Sequence, residues 1–247
     1  MSKTTPPSSE RSRSTGSTGV VRKNSRVLTT VRASGKQAEK SLVTQTVILE
    51  AVIKCLIDKG YAKTTMELVA KCGKVSRGAM MHHFSSRADV IEKAAIYLAE
   101  RRLEEFEHLA RTIVPPLPAG AEPQLSHTLK AMELVRTYYS LPSFAAAHEL
   151  LMAARTDKKL AKVVRRAQDI LNDGIAPIIL RVFPFWADKS SDLLLLLTDI
   201  AHFTFRGVAM SHMDDLDPER ISRMERLLAL VAHDKAAIEA LDLASRA

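Results

Sequence analysis

Eight consecutive residues, Ser76-Arg77-Gly78-Ala79-Met80-Met81-His82-His83, place a guanidinium, two imidazoles, a hydroxyl and several small or flexible apolar groups within two turns of helix. If Met80 and the following Phe84 turn toward a core, Ser76, Arg77, Ala79, Met81, His82 and His83 are left on the outward face. Such a face suits the major groove of a DNA duplex. A guanidinium at Arg77 can donate two hydrogen bonds to the O6 and N7 of guanine, worth roughly 1–3 kcal/mol of discrimination, and Ala79 or Met81 can meet a thymine methyl. Thr65, Lys74, His83 and Arg87 surround that face where phosphate contacts are expected, which set register without reading bases. Two short helices used only for packing are the competing reading. His82 and His83 make a poor metal pair, because neighbouring helical side chains diverge by about 100°.

Catalytic chemistry finds little to work with. His148-Glu149 begins like a zinc-protease helix, but the position of the second histidine holds Met152. There is no Gly-x-Ser-x-Gly turn, no Gly-rich phosphate cradle and no cysteine cluster, so neither a catalytic residue nor a cofactor is expected. Cys55 and Cys72 sit in apolar helical patterns, where a thiol behaves as a small hydrophobe, and two cysteines make no disulfide framework. Tyr138, His148, Arg155, Trp186, His202 and Phe203 interrupt apolar helical faces and are the candidates for lining a small-molecule pocket. Each also fits a satisfied core position or an ordinary surface one.

The elements that must position these residues are helices. Ala, Leu, Lys, Arg and Glu recur with a 3.6-residue period, Gly and Pro number only 9 and 10, and alternating β-branched runs are few, which predicts an all-α fold. Order is expected from about Lys36, with Ile48, Val52, Cys55 and Leu56 on one stripe of a first helix that stops at Lys59-Gly60. Thr64-Thr-Met-Glu67 has the spacing of a capping box, with the Thr64 hydroxyl as cap, and opens a second helix that ends at Gly73. Lys74 and Val75 form a turn, Ser76 caps a third helix over Arg77 to His83, and Phe84 closes it. Ser85-Ser86, with Asp89 three residues after Ser86, starts a long fourth helix reaching about Thr112, where Pro115, Pro116 and Pro118 stop it. Further helices are predicted near 124–140, 143–155, 158–182, 189–213 and 218–243, with Pro177 expected to kink the third of these.

Charge is unevenly spread. Residues 1–36 hold eight Lys or Arg against Glu10 alone, a balance of +7; residues 37–90 carry +3 and the remainder −2. A polyanion meeting the N-terminal third accounts for this, and a solvated disordered tail accounts for residues 1–36 equally well. Three segments follow: a disordered basic arm at 1–35, a helix-turn-helix domain at 36–85, and a helical domain at 86–247. No apolar stretch has the length of a signal peptide or a membrane span, so a cytoplasmic, nucleoid-associated protein with no membrane partner is expected.

Ile48-Leu-Glu-Ala-Val-Ile-Lys-Cys-Leu, Gly60-Tyr-Ala-Lys-Thr-Thr, Leu68-Val-Ala, Val75-Ser-Arg-Gly-Ala and His82-His-Phe-Ser-Ser-Arg-Ala-Asp-Val follow one another in the order and spacing of TetR-type regulators. Over these roughly 45 residues the chain resembles the N-terminal DNA-binding signature of that family. Two positions depart from the family pattern. Lys74 stands at a tight turn where Gly is usual, and Met81 stands where a Tyr commonly meets a phosphate.

The resemblance implies an N-terminal three-helix DNA-binding domain and a C-terminal antiparallel helical bundle for dimerisation and effector binding. It implies a homodimer that binds a palindromic double-stranded DNA operator as a repressor and is released by a small-molecule effector. The segments 190–213 and 218–232 are the candidate dimer helices, since Leu193 to Leu197 is apolar around its whole circumference. A DNA-binding protein of the same fold, controlled by a protein partner and needing no effector, is the alternative.

Overall fold

The computed structural model describes residues 21–118, 121, 123–182, 191–211 and 217–234, with backbone only at 21–37 and 191–195. Among the described residues the regular elements are all helices: α1 (Val21–Lys63), α2 (Met66–Cys72), α3 (Arg77–His83), α4 (Arg87–Ile113), α5 (Leu125–Ser140), α6 (Pro142–Ala154), α7 (Lys158–Val182), α8 (Ser191–Met210) and α9 (Pro218–His233). The fold is all-α, with a helix-turn-helix at the N-terminal end of a six-helix bundle, α4 to α9.

Internal contacts divide the chain after Thr46. In the first unit the backbone is helical from Val21, upstream of the start near Lys36 that the apolar stripe suggests. A stripe marks where a helix buries a face, whereas the helix itself needs only compatible backbone, and no proline lies between Pro7 and Pro115. The first twenty residues of the expected basic arm lie outside the described residues, as do residues 235–247, onto which the last predicted helix extends.

In the second unit α1 is broken at Gly60, whose φ of 77° and ψ of 169° fall in a region essentially reserved for glycine. The helix resumes briefly to Lys63. Thr64 then takes a role different from the expected cap: it is buried, and its hydroxyl donates to the Gly60 carbonyl (2.8 Å) left unpaired by the break. The cap of α2 is the next residue, Thr65, which accepts from the Leu68 N–H at 3.2 Å. The Ser86 hydroxyl caps α4 as expected, accepting from the Asp89 N–H (3.2 Å), and the Asp89 carboxylate accepts in return from the Ser85 N–H (2.8 Å). That backbone hydrogen bond holds the Asp89 carboxyl below its ordinary pKa.

Two apolar clusters support the elements. The first joins Ile48, Val52 and Leu56 of α1, Val69 of α2, Met80 of α3 and Phe84 to Val90, Ile91 and Leu98 of α4, Leu150 of α6 and Val164 of α7. The second joins Phe106, Leu134, Tyr138, Phe144, Ile178 and Phe205 deeper in the bundle. α4 and α7 pack side by side; a Cβ at Gly174 would lie 2.3 Å from the Leu103 side chain, so a small residue is what lets them approach. α7 continues as helix through Pro177. No described helix is long and apolar enough to cross a membrane.

Candidate nucleic-acid interface and bundle cavity

The turn between α2 and α3 is a Schellman motif. The Val75 N–H donates to the Ala70 carbonyl (3.0 Å) and the Lys74 N–H to the Lys71 carbonyl (3.3 Å), which puts Lys74 at the position that needs left-handed backbone. Its φ is +52°. Gly73, one residue earlier, has ordinary helical angles and serves packing: a Cβ there would sit 3.2 Å from the Ala51 Cβ on α1. The chain thus places glycine where α1 comes close and lysine where the backbone is strained. The ammonium of Lys74 is exposed at the apex of the turn.

Ser76 caps α3 by accepting from the Ala79 N–H at 3.0 Å. Met80 and Phe84 are about 1% exposed and anchor the helix in the first cluster. Each contributes roughly 1.5–3 kcal/mol by leaving water. The opposite face presents Ser76, Arg77, Met81 and His82 to solvent, with Ala79 and His83 half-buried beside them and the two imidazoles in edge contact at 5.0 Å. Met81 is 49% exposed on this face.

Behind this face lies a junction with the bundle. Arg87 at the start of α4 donates from Nε to the Thr64 carbonyl (2.7 Å) and from Nη2 to the Tyr61 carbonyl (2.6 Å), and its guanidinium sits 4.3 Å over the Tyr61 ring. On the other side of the same residue, the Tyr61 N–H donates to Glu149 Oε2 of α6 at 2.9 Å. Farther along, Glu50 of α1 accepts from the Tyr97 hydroxyl (2.7 Å) and pairs with Arg101 (2.6 Å), both on α4. Burial and the Glu50 carboxylate push the Tyr97 phenol up to about 12.

The bundle encloses a cavity of about 570 Å³, lined by residues of α4, α5, α6, α7 and α8 and by Ala232 of α9. Its walls are chiefly apolar, with Phe106, Leu134, Phe144, Leu171 and Ile175 among them. Polar groups come from Arg102, His148, Gln168, Asn172, Asp199, His202 and Arg206. Tyr139 and His202 share a short hydrogen bond between the phenol and Nδ1. Burial, followed by the Arg206 charge, holds the His202 imidazole below its ordinary pKa. Burial raises both phenols, Tyr139 to about 12 and Tyr138 further.

The family model described as bacterial regulatory proteins, tetR family, matches residues 48–94, which run from the second half of α1 through the reading helix into α4. Rv2912c, an HTH-type transcriptional regulator of Mycobacterium tuberculosis, is 27% identical over 190 residues, covering 73% of this chain and 90% of its own. CymR, an HTH-type transcriptional regulator of Pseudomonas putida, is 24% identical over 202 residues, 81% of this chain and 94% of its own. A TetR-family regulator structure from Mesorhizobium loti superposes with a TM-score of 0.57 at 14% identity, over 78% of this chain and 96% of that one. Residues 48–94 form a TetR-family DNA-binding domain.

This DNA-binding transcriptional regulator exposes most of the residues expected at its reading head. Lys74, Ser76, Arg77, Ala79, Met81, His82 and His83 lie on α3 and the turn before it and Thr65 at the start of α2, with the Thr65 and Ser76 hydroxyls already engaged as caps. Arg87 differs. Its guanidinium donates from Nε and Nη2 to the Thr64 and Tyr61 carbonyls, behind the face that the other residues present. Of the residues expected at a pocket, the bundle gathers Tyr138, His148, His202 and Phe203 at the cavity. Arg155 caps the C-terminus of α6 in solvent and does not line the cavity, and Trp186 lies outside the described residues. Arg102 was missed, yet a signal was present: Ala95, Leu98, Ala99 and Phe106 mark a buried stripe of α4 in which position 102 is a charged residue.

Proposed function

We propose that this regulator is a dimeric, ligand-responsive repressor that binds a palindromic operator and leaves it when a small molecule fills the bundle cavity. In this reading residues 36–85 form the reading head, 86–247 form the effector and dimerisation domain, and 1–35 form a basic arm. The observation that carries it is the shared use of two helices. α6 contributes His148 and Leu151 to the cavity wall and, between them in sequence, Glu149 to the Tyr61 N–H of the head. α4 lines the cavity from Ala95 to Phe106 and grips the head through Arg87. A ligand that shifts either helix therefore moves the support on which the reading helix rests, a coupling expected to be about 1–3 kcal/mol.

Dimerisation through α8 and α9 is supported by the apolar side chains they leave in water. Leu196, Ile200 and Phe203 form one stripe of α8, continued by Gly207, which has open space around it, while Leu227 and Leu230 are exposed on α9. A second copy is the natural cover, since two reading heads on half-sites one helical turn apart multiply the modest affinity of a two-turn helix. Met81 and Lys74 give the head a lean toward thymine-methyl and phosphate contact.

The test is selection of bound genomic fragments by the purified protein, followed by salt titration of the best fragment and sedimentation of the free protein. A palindromic consensus bound by a dimer is expected. A steep salt dependence with no sequence preference would leave only electrostatic binding and refute the specific repressor.

A further inference from the structure

Arg102 is 5% exposed, lines the cavity, and has an Nε–H that meets no acceptor. Among the described residues no carboxylate forms an ion pair with it. The faces of its guanidinium are covered, by the Tyr138 ring at 4.6 Å and the Phe144 ring at 5.3 Å. Those rings stabilise the charge electrostatically but cannot accept the in-plane N–H donors, which point along the edge of the group. The Tyr138 hydroxyl is buried at the same place; among the described residues it meets no partner in hydrogen-bond geometry, and it interacts with the Arg102 guanidinium. A buried cation left in this condition costs stability, and a fold retains such a cost where it serves a purpose.

We propose that the cavity is a receptor for an apolar monocarboxylic acid, whose carboxylate is taken by Arg102 and whose body lies among the apolar walls; the inference rests on the effector reading above. A planar carboxylate offers two oxygens to the edge of a guanidinium whose faces are already stacked, the geometry that favours bidentate pairing. Among the described residues Arg206 and the exposed Asp199 are the other formally charged groups on the wall, so the described wall carries a net charge of one and matches a monoanion. A phosphate monoester would bring a second negative charge into walls that are chiefly apolar. The Tyr138 hydroxyl supplies a donor beside Arg102. A volume of about 570 Å³ falls within the roughly 300–1,000 Å³ of small-molecule sites.

The experiment is calorimetric titration of the full chain with 2-naphthoate, 4-phenylbutanoate and decanoate, each paired with its primary amide, and with 2-naphthyl phosphate. At least one acid is expected to bind ten-fold or more tighter than its amide. Arg102→Gln is expected to shrink that preference below three-fold by weakening the acid more than the amide, and Arg102→Lys to keep an intermediate preference. Arg102→Met, which removes the unpaired charge, is expected to melt higher than the unliganded wild type, and it replaces Arg102→Gln if the latter does not fold. No acid preference in any pair, a preference that survives loss of the guanidinium, or tighter binding of the phosphate than of 2-naphthoate would overturn the proposal. Operator release measured in parallel separates the two readings. Arg102-dependent acid binding without release refutes the repressor and keeps the receptor, whereas release by amides as readily as by acids refutes the receptor and keeps the repressor.

Discussion

Replacing Lys74 by glycine separates the folding role of the turn from its role at DNA. An L-residue held in left-handed backbone costs about 1–2 kcal/mol, and Lys74 is held there, at φ +52°, by the two hydrogen bonds of the Schellman turn. Glycine removes that strain but gives back about 0.4–1 kcal/mol through the greater freedom of the unfolded chain. The net gain for Lys74→Gly then lies between about 0 and 1.6 kcal/mol and centres near 0.8, or about 2 °C in melting temperature for a chain of this size. Urea unfolding should show a higher midpoint with an unchanged slope, since the surface exposed on unfolding is the same. At DNA the same substitution removes an ammonium from the apex of the turn, so the slope of log K against log salt should fall by about 0.9 for each head that loses a phosphate contact. A Lys74→Gly protein no more stable than the wild type would refute the strain argument. An unchanged salt slope would refute the phosphate contact. The adjacent Gly73→Ala serves as a control, because its Cβ would meet Ala51 at 3.2 Å and overpacking should destabilise.

Gly60→Ala is expected to cost about 1–3 kcal/mol from its backbone conformation, and its Cβ would also press on Glu149 at 3.0 Å; thermal unfolding measures the loss, and a neutral result would contradict the break in α1. Arg77→Ala should lose roughly 1–3 kcal/mol of discrimination at one base position of each half-site, read by competition between operator variants, while a uniform loss across sequences would assign Arg77 to phosphate instead. His202 has a lowered pKa in the folded protein, so the unfolded chain takes up a proton first; the stability linked to it is present above an unfolded pKa near 6.5 and is lost as pH falls toward the folded value. His202→Gln should flatten the acid side of the stability curve below pH 6.5, and an unchanged curve would show that the imidazole is not buried as described.

Local signals carried most of the head. The turn at Gly73 to Val75, the Ser76 and Ser86 caps and the anchors Met80 and Phe84 follow from chemistry confined to a few neighbouring residues, which a sequence displays directly. The errors come from partners distant in the chain. Thr64 and Thr65 are indistinguishable as caps until the Gly60 carbonyl is seen to need a donor. Arg87 reads as a phosphate contact, and its bonds to the Thr64 and Tyr61 carbonyls, 23 and 26 residues away, are invisible in the local pattern. Arg155 and Arg102 both interrupt apolar faces, yet one ends in solvent and the other in a cavity wall, because α6 terminates where α4 is still passing through the bundle.

The junction at Tyr61 also bears on how such proteins can be recombined. A cut between Phe84 and Arg87 looks clean on the sequence, but it separates Met80 and Phe84 from Val90, Ile91, Leu150 and Val164, and Tyr61 from Arg87 and Glu149. A head excised there would expose half of one apolar cluster and lose both polar clamps. Grafting a foreign sensor onto it would require transplanting the first turns of α4 and a carboxylate in register with Glu149. The unit of exchange is therefore larger than the unit that touches DNA, and chimeras should be designed around the contact rather than around the linker.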